Sequence, residues 1–375
     1  MKRIGLAVLA LLVSASAGCD RESQFASVQP PVAAQPASFA PAVPAYTGPL
    51  VELRGTPEQM GAGHAKLLDS QIQLLHEKYL NVYIGTGAKR LVALAAARLF
   101  KSHFAPEHLA ETDALAATHG MDEREAVLAQ CFLDLSPMTA CSTITLPASA
   151  SPDHVARFGR NLDFPALNIA DKYSIVFVYH PEGRYQFASI GWPGMVGVLS
   201  GMNEHGLALA NMEVSRGARV PGAMPYTLLY RSVLERCKTV AEAIELLQST
   251  PRQTANNLML MDAAGDRAVV EITPEAITVR RTSEAEPLIS TNHQRGTDCD
   301  TAGRCNRFDY LHEHGHDELG HIGVPELKDL LAHVSPGKAT LQSMIFEPAN
   351  RVIYLATGAN ATHATYYKLD LKSRF

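Results

Sequence analysis

The chain changes its hydrophobic period once, near residue 140, and that switch limits the fold more than any other feature. From Leu50 to about Leu135 apolar residues mostly recur at three and four. The stretch "TPEQMGAGHAKLLDSQIQLLHEKYL" opens on a Thr-x-x-Gln capping box at Thr56 and Gln59. "AKRLVALAAARLFKSHF", "PEHLAETDALAATHG" and "MDEREAVLAQCFLDL" continue the pattern. After Pro137 the period falls to two. "CSTITLP", "HVARFGRNL", "SIVFVYH", "YQFASIG", "VGVLSG" and "GLALANMEV" read as strands separated by Pro, Gly, Asn and Asp turns. A helical pair, "PYTLLYRSVLERCK" and "TVAEAIELLQS", precedes the strands of "NNLMLMDAAGDRAVVEITPEAITVRR". Helices near 304–314 and at "VPELKDLLAHV" and the strands "LQSMIFE", "RVIYLAT" and "TYYKLD" close the chain. Antiparallel strands interrupted by a helical pair predict an α+β fold: two packed antiparallel sheets with helices outside, a four-layer αββα sandwich behind a helical prefix.

The amino-terminal residues follow neither period. "MKRIGLAVLALLVSASAGCD" places Lys2 and Arg3 before an apolar run too short to span a bilayer permanently, which reads as a secretory signal over residues 1–18. "SAGC" resembles the lipobox of bacterial lipoproteins, which would lipidate Cys19; an ordinary cleavage near Ala17 stays open. Residues 19–48, rich in Pro, Ala, Ser and Gln, have too little to bury and read as a disordered tether. The expected organisation is signal 1–18, tether 19–48, a helical segment 49–140 and a strand-rich domain 141–375; the resemblance described below makes these a pro-region and a catalytic domain. Such a protein is exported, as an envelope lipoprotein on the periplasmic side of a membrane or as a periplasmic or secreted protein, and meets the membrane only through its lipid. A net charge of −5, from 33 basic and 38 acidic residues without a basic stripe, excludes nucleic acid as a partner.

Six cysteines, at 19, 131, 141, 237, 299 and 305, form no metal or disulfide framework. Cys131 fits a buried helical position, Cys299 and Cys305 could close a small loop disulfide, and Cys237 has no visible partner. Cys141 opens the first strand. If the Ala140–Cys141 bond is cut, the freed amine, titrating near ~7.7–8.0, can take the proton of a thiol near ~8.5, and no histidine base is needed. The returning strand of the hairpin carries "GRNLDF" back beside the strand start. Arg160 could then lie against the sulfur and favour the thiolate, and Asp163 could accept from the amine. The plainer alternative is a surface ion pair on a hairpin, with Cys141 a buried strand residue.

The series "CSTITL…FGRNLDF", "GMNEHGLALANMEV", "NLMLMDAAGDRAVVEIT", "ISTNHQ" and "RCNRFDYL" is similar in order and spacing to the N-terminal nucleophile amide hydrolases. These include the isopenicillin N acyltransferase family, the choloylglycine hydrolases and the acid ceramidases. The helical prefix from about Pro49 resembles the pro-region of the acyltransferase branch. The resemblance implies Cys141 as nucleophile, Arg160 beside it, and Asp163 holding the amine. It implies Asn292 as an oxyanion-hole donor and Arg307 as a second arginine near the cysteine. The remaining polar partner falls in "NMEV", at Glu213 or Asn211, which share a strand face. It further implies cleavage between Ala140 and Cys141, two fragments that stay associated, a small-molecule N-acyl amide substrate, and no metal or organic cofactor.

Competing signals remain. "HEHGH" at 312–316 fits the HExxH zinc pattern with His312, Glu313 and His316, although Gly315 interrupts it and no third ligand is apparent; this is the rival metallopeptidase reading. "GMNEHG" reads as a hairpin turn, since no helix start follows it. Trp192 either lines a pocket for an apolar acyl group or packs a turn. A tethered binding lipoprotein without chemistry is the third reading.

Overall fold

The computed structural model describes residues 43–135, 140–214, 222–296 and 304–375. The signal segment, Cys19, most of the tether, Pro137 and Cys299 with its suggested disulfide lie outside these residues.

Helix α1 (Pro57–Leu74) starts as its sequence expects. Gln59 N donates to Thr56 Oγ1 at 3.3 Å and Thr56 N to Gln59 Oε1 at 2.9 Å, closing the capping box. The chain winds on as a π-helical turn (Leu75–Leu80) and α2 (Asn81–Ile84), then α3 (Ala88–Lys101), α4 (Pro106–His119) and α5 (Glu123–Leu135). These helices bury Ala97, Phe100, Leu115, Leu128 and Cys131 among themselves. Gly61 permits α1 to cross α4 closely, because a Cβ there would lie 2.1 Å from the Glu111 carbonyl oxygen.

The prefix is not wholly helical. Its first element is strand β1 (Leu50–Gly55), which pairs in parallel with β4 (Ile175–Pro181), Leu50 opposite Val176 and Leu53 opposite Tyr179. Just before it, Lys368 N donates to Pro44 O at 2.7 Å and Tyr46 N to Lys368 O at 2.8 Å, so the end of the expected tether is hydrogen-bonded to the body. Both departures have one cause: an edge strand offers unpaired backbone groups, and a short extended segment satisfies them whatever its side-chain period.

Strands β2 (Ala140–Leu146) and β3 (Arg157–Asp163) form the expected hairpin. After β4 come β5 (Phe187–Gly191), β6 (Ser200–Asn203), β7 (Ala208–Glu213), helices α6 (Tyr226–Arg236) and α7 (Val240–Ser249), and strands β8 (Asn256–Met261), β9 (Arg267–Ile272), β10 (Ile277–Arg280) and β11 (Leu288–Ser290). Helices α8 (Asn306–Asp317) and α9 (Val324–His333) and strands β12 (Thr340–Glu347), β13 (Val352–Thr357) and β14 (Tyr367–Asp370) complete the chain. One sheet runs β1-β4-β5-β6-β7-β8-β9-β10 and the other β11-β2-β3-β12-β13-β14; every pairing but β1–β4 is antiparallel.

The period-two pattern dictates the layers. Cys141, Phe158, Met344 and Phe346 of the smaller sheet meet Val176, Ile190, Met212 and Met259 of the larger between the sheets. The opposite face of the larger sheet packs Phe177, Leu209 and Leu258 under α1 and α6. That of the smaller packs Ile144 and Ile345 under α8 and α9 through Leu311, Leu327 and Leu331. This is the αββα sandwich expected, with one parallel pair added at its edge.

Candidate active site

Cys141 is the second residue of β2, fully buried, its side chain between the sheets. Cross-strand register sets Ala140 opposite Asp163, Cys141 opposite Leu162 and Thr143 opposite Arg160. Strand alternation therefore puts Arg160 on the inter-sheet face with Cys141, one pair further along, and Asp163 on the other face beside the Ala140–Cys141 peptide bond.

Three side chains, Asn292, Arg307 and Asp163, gather about the backbone of Cys141. Cys141 N donates to Asn292 Oδ1 at 2.8 Å. Arg307, in the first turn of α8, donates from Nη1 to Cys141 O at 2.5 Å and to Ser142 Oγ at 3.0 Å, and from Nη2 to Asn292 Oδ1 at 3.1 Å. Its Nη1 also stands 3.7 Å from Asp163 Oδ2. Asn292 Nδ2 donates to Glu213 O at 2.8 Å, so donors on one side and an acceptor on the other settle which way the amide points. In the uncut chain Asn292 thus offers its oxygen to the Cys141 nitrogen.

Asp163 accepts from the Thr340 hydroxyl at 2.6 Å, and Thr340 is joined to Ser335 at 2.7 Å. Burial pushes its carboxyl up to about 6, against the pull of the Thr340 hydrogen bond and the charges of Arg307 and Arg160. Arg160, wholly buried, donates from Nε to Ser200 Oγ at 2.7 Å and from Nη1 to Asn161 O at 2.8 Å; Nη2 finds no partner among the described residues. Its hydrogen bonds among the described residues go to Ser200 and Asn161 rather than to the sulfur.

Asn211 and Glu213 share the face of Leu209, which looks toward α6 and α7, while Ala210 and Met212 look toward Cys141. Glu213 raises the Tyr230 phenol on that helical side, after the larger effects of burial and of Asp134. Among the described contacts it is the Glu213 main-chain carbonyl, not either side chain, that meets Asn292.

Sequence reading missed Asn257. On β8 and buried, it donates from Nδ2 to Thr291 O at 2.9 Å and His293 O at 2.8 Å, holding the backbone on both sides of Asn292. An asparagine inside the apolar run "NNLMLM" is the signal that marks it, since a buried amide needs partners. Trp192 is tied to the loop after β3 and borders a cavity. Its Nε1 donates to Ala170 O at 2.8 Å, and its ring lines an apolar cavity with Tyr79, Phe132, Leu133 and Phe164.

Cys131 and Cys237 are poor nucleophiles: burial pushes the Cys131 thiol well up and that of Cys237 to about 12. Nor does the zinc pattern assemble. Helix α8 runs through Gly315, whose Cβ would come 3.0 Å from Ile144, and His316 Nδ1 turns to His312 O. Among the described residues no three His, Cys, Asp or Glu side chains gather as a metal ion requires. "GMNEHG" is the β6–β7 turn, with Gly206 at φ +81° and Asn203 Oδ1 accepting from His205 N and Leu207 N.

Residues 150–362, which include Arg160, Asp163, Asn292 and Arg307 and begin after Cys141, match the model of the acyl-coenzyme A:6-aminopenicillanic acid acyl-transferase family. Protein dcd1A of Dictyostelium discoideum is 24% identical over 236 residues, 54% of this chain and 53% of that protein. Protein dcd1B of the same organism is 22% identical over 236 residues, 55% of this chain and 46% of that protein. The chain thus spans about half the length of the curated relatives it matches. Similar solved structures include a Caenorhabditis elegans N-acylethanolamine-hydrolyzing acid amidase orthologue, with TM-score 0.47, 18% identity, and coverage of 61% of this chain and 100% of that one. Penicillin V acylase from Agrobacterium tumefaciens has TM-score 0.44, 15% identity and coverage of 62% and 86%. A mutant conjugated bile acid hydrolase from Clostridium perfringens has TM-score 0.43, 15% identity and coverage of 62% and 93%.

Proposed function

The chain belongs to the acyl-coenzyme A:6-aminopenicillanic acid acyl-transferase family, and from that membership and the site we propose a self-processing cysteine enzyme that cleaves or transfers the acyl group of an N-acyl amide. The observation that carries the proposal is the gathering of three groups about Cys141: Asn292 on its nitrogen, Arg307 on its carbonyl oxygen, and Asp163 beside Arg307 and opposite Ala140. An ordinary strand start does not need a buried carboxyl, an arginine and an amide around one residue. Cleavage there turns the amide nitrogen of Cys141 into an amine without moving it from Asn292 Oδ1.

In turnover the α-amine takes the thiol proton and the thiolate attacks the substrate carbonyl carbon. Asn292 Nδ2 and backbone donors receive the oxyanion. The C–N bond then breaks, the departing amine takes the proton back from the α-ammonium, and a thioester remains on Cys141. Water releases the acid, or a second amine accepts the acyl group. Arg160 lies on the sulfur's face with an uncommitted Nη2, which suits it to favouring the thiolate. Asp163, opposite Ala140, gains a cationic partner once the amine is free and protonated. Glu213 acts through its carbonyl on Asn292. The apolar cavity beside Phe164, the residue after Asp163, suits an apolar acyl group.

Export and lipid attachment at Cys19 remain part of the proposal, resting on the amino-terminal sequence; among the described residues no helix is long and apolar enough to cross a membrane. The two fragments are proposed to stay together through the β1–β4 ladder and a buried cluster. In that cluster Arg231 of α6 pairs with Glu111 of α4 at 2.6 Å and with Glu235 at 2.7 Å, and Glu235 meets His108 at 3.0 Å. Acid-quenched turnover of an N-acyl amide tests the chemistry. The fragment starting at Cys141 should carry one acyl group that hydroxylamine removes, and an acyl group found elsewhere would reject the nucleophile.

A further inference from the structure

Strand β12 opens on an irregularity that changes what Asp163 meets. Further along the pair, Phe346 lies opposite Phe158 and Ser343 opposite Asn161; carried on unbroken, that register would set Leu341 opposite Asp163. The register instead shifts between Thr340 and Gln342, and Thr340 takes the place. A bulge of this kind adds one residue and re-aims a side chain. Here it leaves Leu341 in the apolar cluster with Leu162 and gives Asp163 a hydroxyl as its neighbour.

Thr340 has one proton to give, and it goes to Asp163 Oδ1 at 2.6 Å. The 2.7 Å contact between the Thr340 and Ser335 hydroxyls is then donated by Ser335, whose own oxygen accepts from Gly337 N at 3.1 Å. A backbone N–H thus starts a chain of hydrogen bonds that all point toward the carboxyl, each strengthening the next. The same turn holds the main chain beyond Asp163, because Phe164 N donates to Ala339 O at 2.7 Å. With Oδ1 occupied, Oδ2 is the oxygen left over. It is buried, has no hydrogen-bond partner among the described residues, and lies 3.7 Å from Arg307 Nη1.

We propose that Thr340, oriented by Ser335, is a positioning residue that pins Asp163 by Oδ1 and so presents Oδ2 to the amine that cleavage creates on Cys141. What Oδ2 receives rests on the acyl-transfer reading of Cys141; the hold on Oδ1 does not. The charges facing Asp163 are few. Arg307 comes from α8 and Arg160 from the carboxyl's own strand, and β2 sets only Ala140 opposite it. His333 and Lys338, on either side of Ser335, are exposed to solvent. Burial works against the ionised carboxyl, and of the influences that favour it the Thr340 hydrogen bond is the largest, ahead of Arg307 and Arg160.

The test reads the titration of the Asp163 carboxyl by carbon NMR of aspartate-labelled, full-length Cys141→Ala protein, with Asp163→Asn identifying the resonance. Adding Thr340→Val removes a hydrogen bond to a charged group and should raise the midpoint by about one to two pH units. Thr340→Ser keeps the hydroxyl and should return the midpoint close to that of Cys141→Ala alone. Ser335→Ala removes the donor behind Thr340 and should raise it by less than Thr340→Val does. Circular dichroism establishes that each variant is folded; if the valine variant is not, the serine and Ser335 variants decide. An unmoved midpoint in Thr340→Val or Ser335→Ala, or a serine variant shifted as far as the valine one, would overturn the proposal. In processed protein that retains Cys141, Thr340→Val should move the acid limb of kcat for decanoyl 7-amino-4-methylcoumarin amide upward with the titration and leave KM within about twofold. A loss uniform across pH marks a merely structural role and would also overturn it; where wild type does not turn this amide over, the titration alone decides. A shifted midpoint in a protein whose wild type is never cut would retain the hold of Thr340 on Asp163 and reject the acyl-transfer reading.

Discussion

Asp163 yields the sharpest prediction, because its environment should be wrong for a carboxylate before cleavage and right afterwards. In the uncut chain burial lifts its pKa from 3.8 to about 6. The folded state then holds a proton that the unfolded state has lost between these values, so stability falls as pH rises through that window. At 1.36 kcal/mol per pH unit the deficit reaches about 3 kcal/mol above pH 6 and is about half a kcal/mol at pH 4. Cys141→Ala protein keeps the chain uncut and isolates this state. Adding Asp163→Asn retains the oxygen that accepts from Thr340 and removes the charge. Urea unfolding should find the double variant more stable by up to about 3 kcal/mol at pH 8, the gain shrinking to under about 1 kcal/mol at pH 4. A double variant less stable at pH 8, or a gain that does not change with pH, would refute the reasoning. In processed protein the nearby ammonium reverses the sign, and Asp163→Asn should lower both stability and activity.

Asn257→Ala removes two buried hydrogen bonds that hold the turn around Asn292; it should cost about 2–3 kcal/mol in urea unfolding and slow fragment formation on denaturing gels. Glu111→Ala strands the buried Arg231 and should destabilise the processed protein by about 3–5 kcal/mol, with the fragments parting at lower urea in size-exclusion runs. Replacing His312 and His316 together by alanine, or adding a chelator, should leave amide turnover unchanged within about twofold, since they pack on each other and on Phe308; a large loss would revive the metal reading.

Much of the fold was legible because burial imposes its period on the residues. The change of period at 140, the Cys141–Asp163 hairpin and the helical pair between strands all follow from which positions face a core. What periodicity cannot show is which distant partner a face or an edge meets. Strand β1 was hidden among helices because the backbone of β4, more than 120 residues later, determines it. Asn257 escaped notice because its partners are carbonyl groups, which carry no side-chain signature. The Arg231 cluster joins helices on opposite sides of the proposed cut, and no local pattern links them. At the site, residue types and resemblance pointed to Cys141, Asp163, Asn292 and Arg307. Strand parity then turned the side chains of Asn211 and Glu213 away from the sulfur's face and left a carbonyl as the contact.

The central claim is that one residue supplies both the attacking sulfur and the amine that deprotonates it. Intact mass together with amino-terminal sequencing of wild-type and Cys141→Ala protein, each assayed for amide turnover, tests it most directly. The account predicts an active wild type with a fragment reading Cys-Ser-Thr-Ile, and an inactive, uncut variant. A wild type that turns over amide as a single uncut chain, or a variant that retains activity, would contradict it.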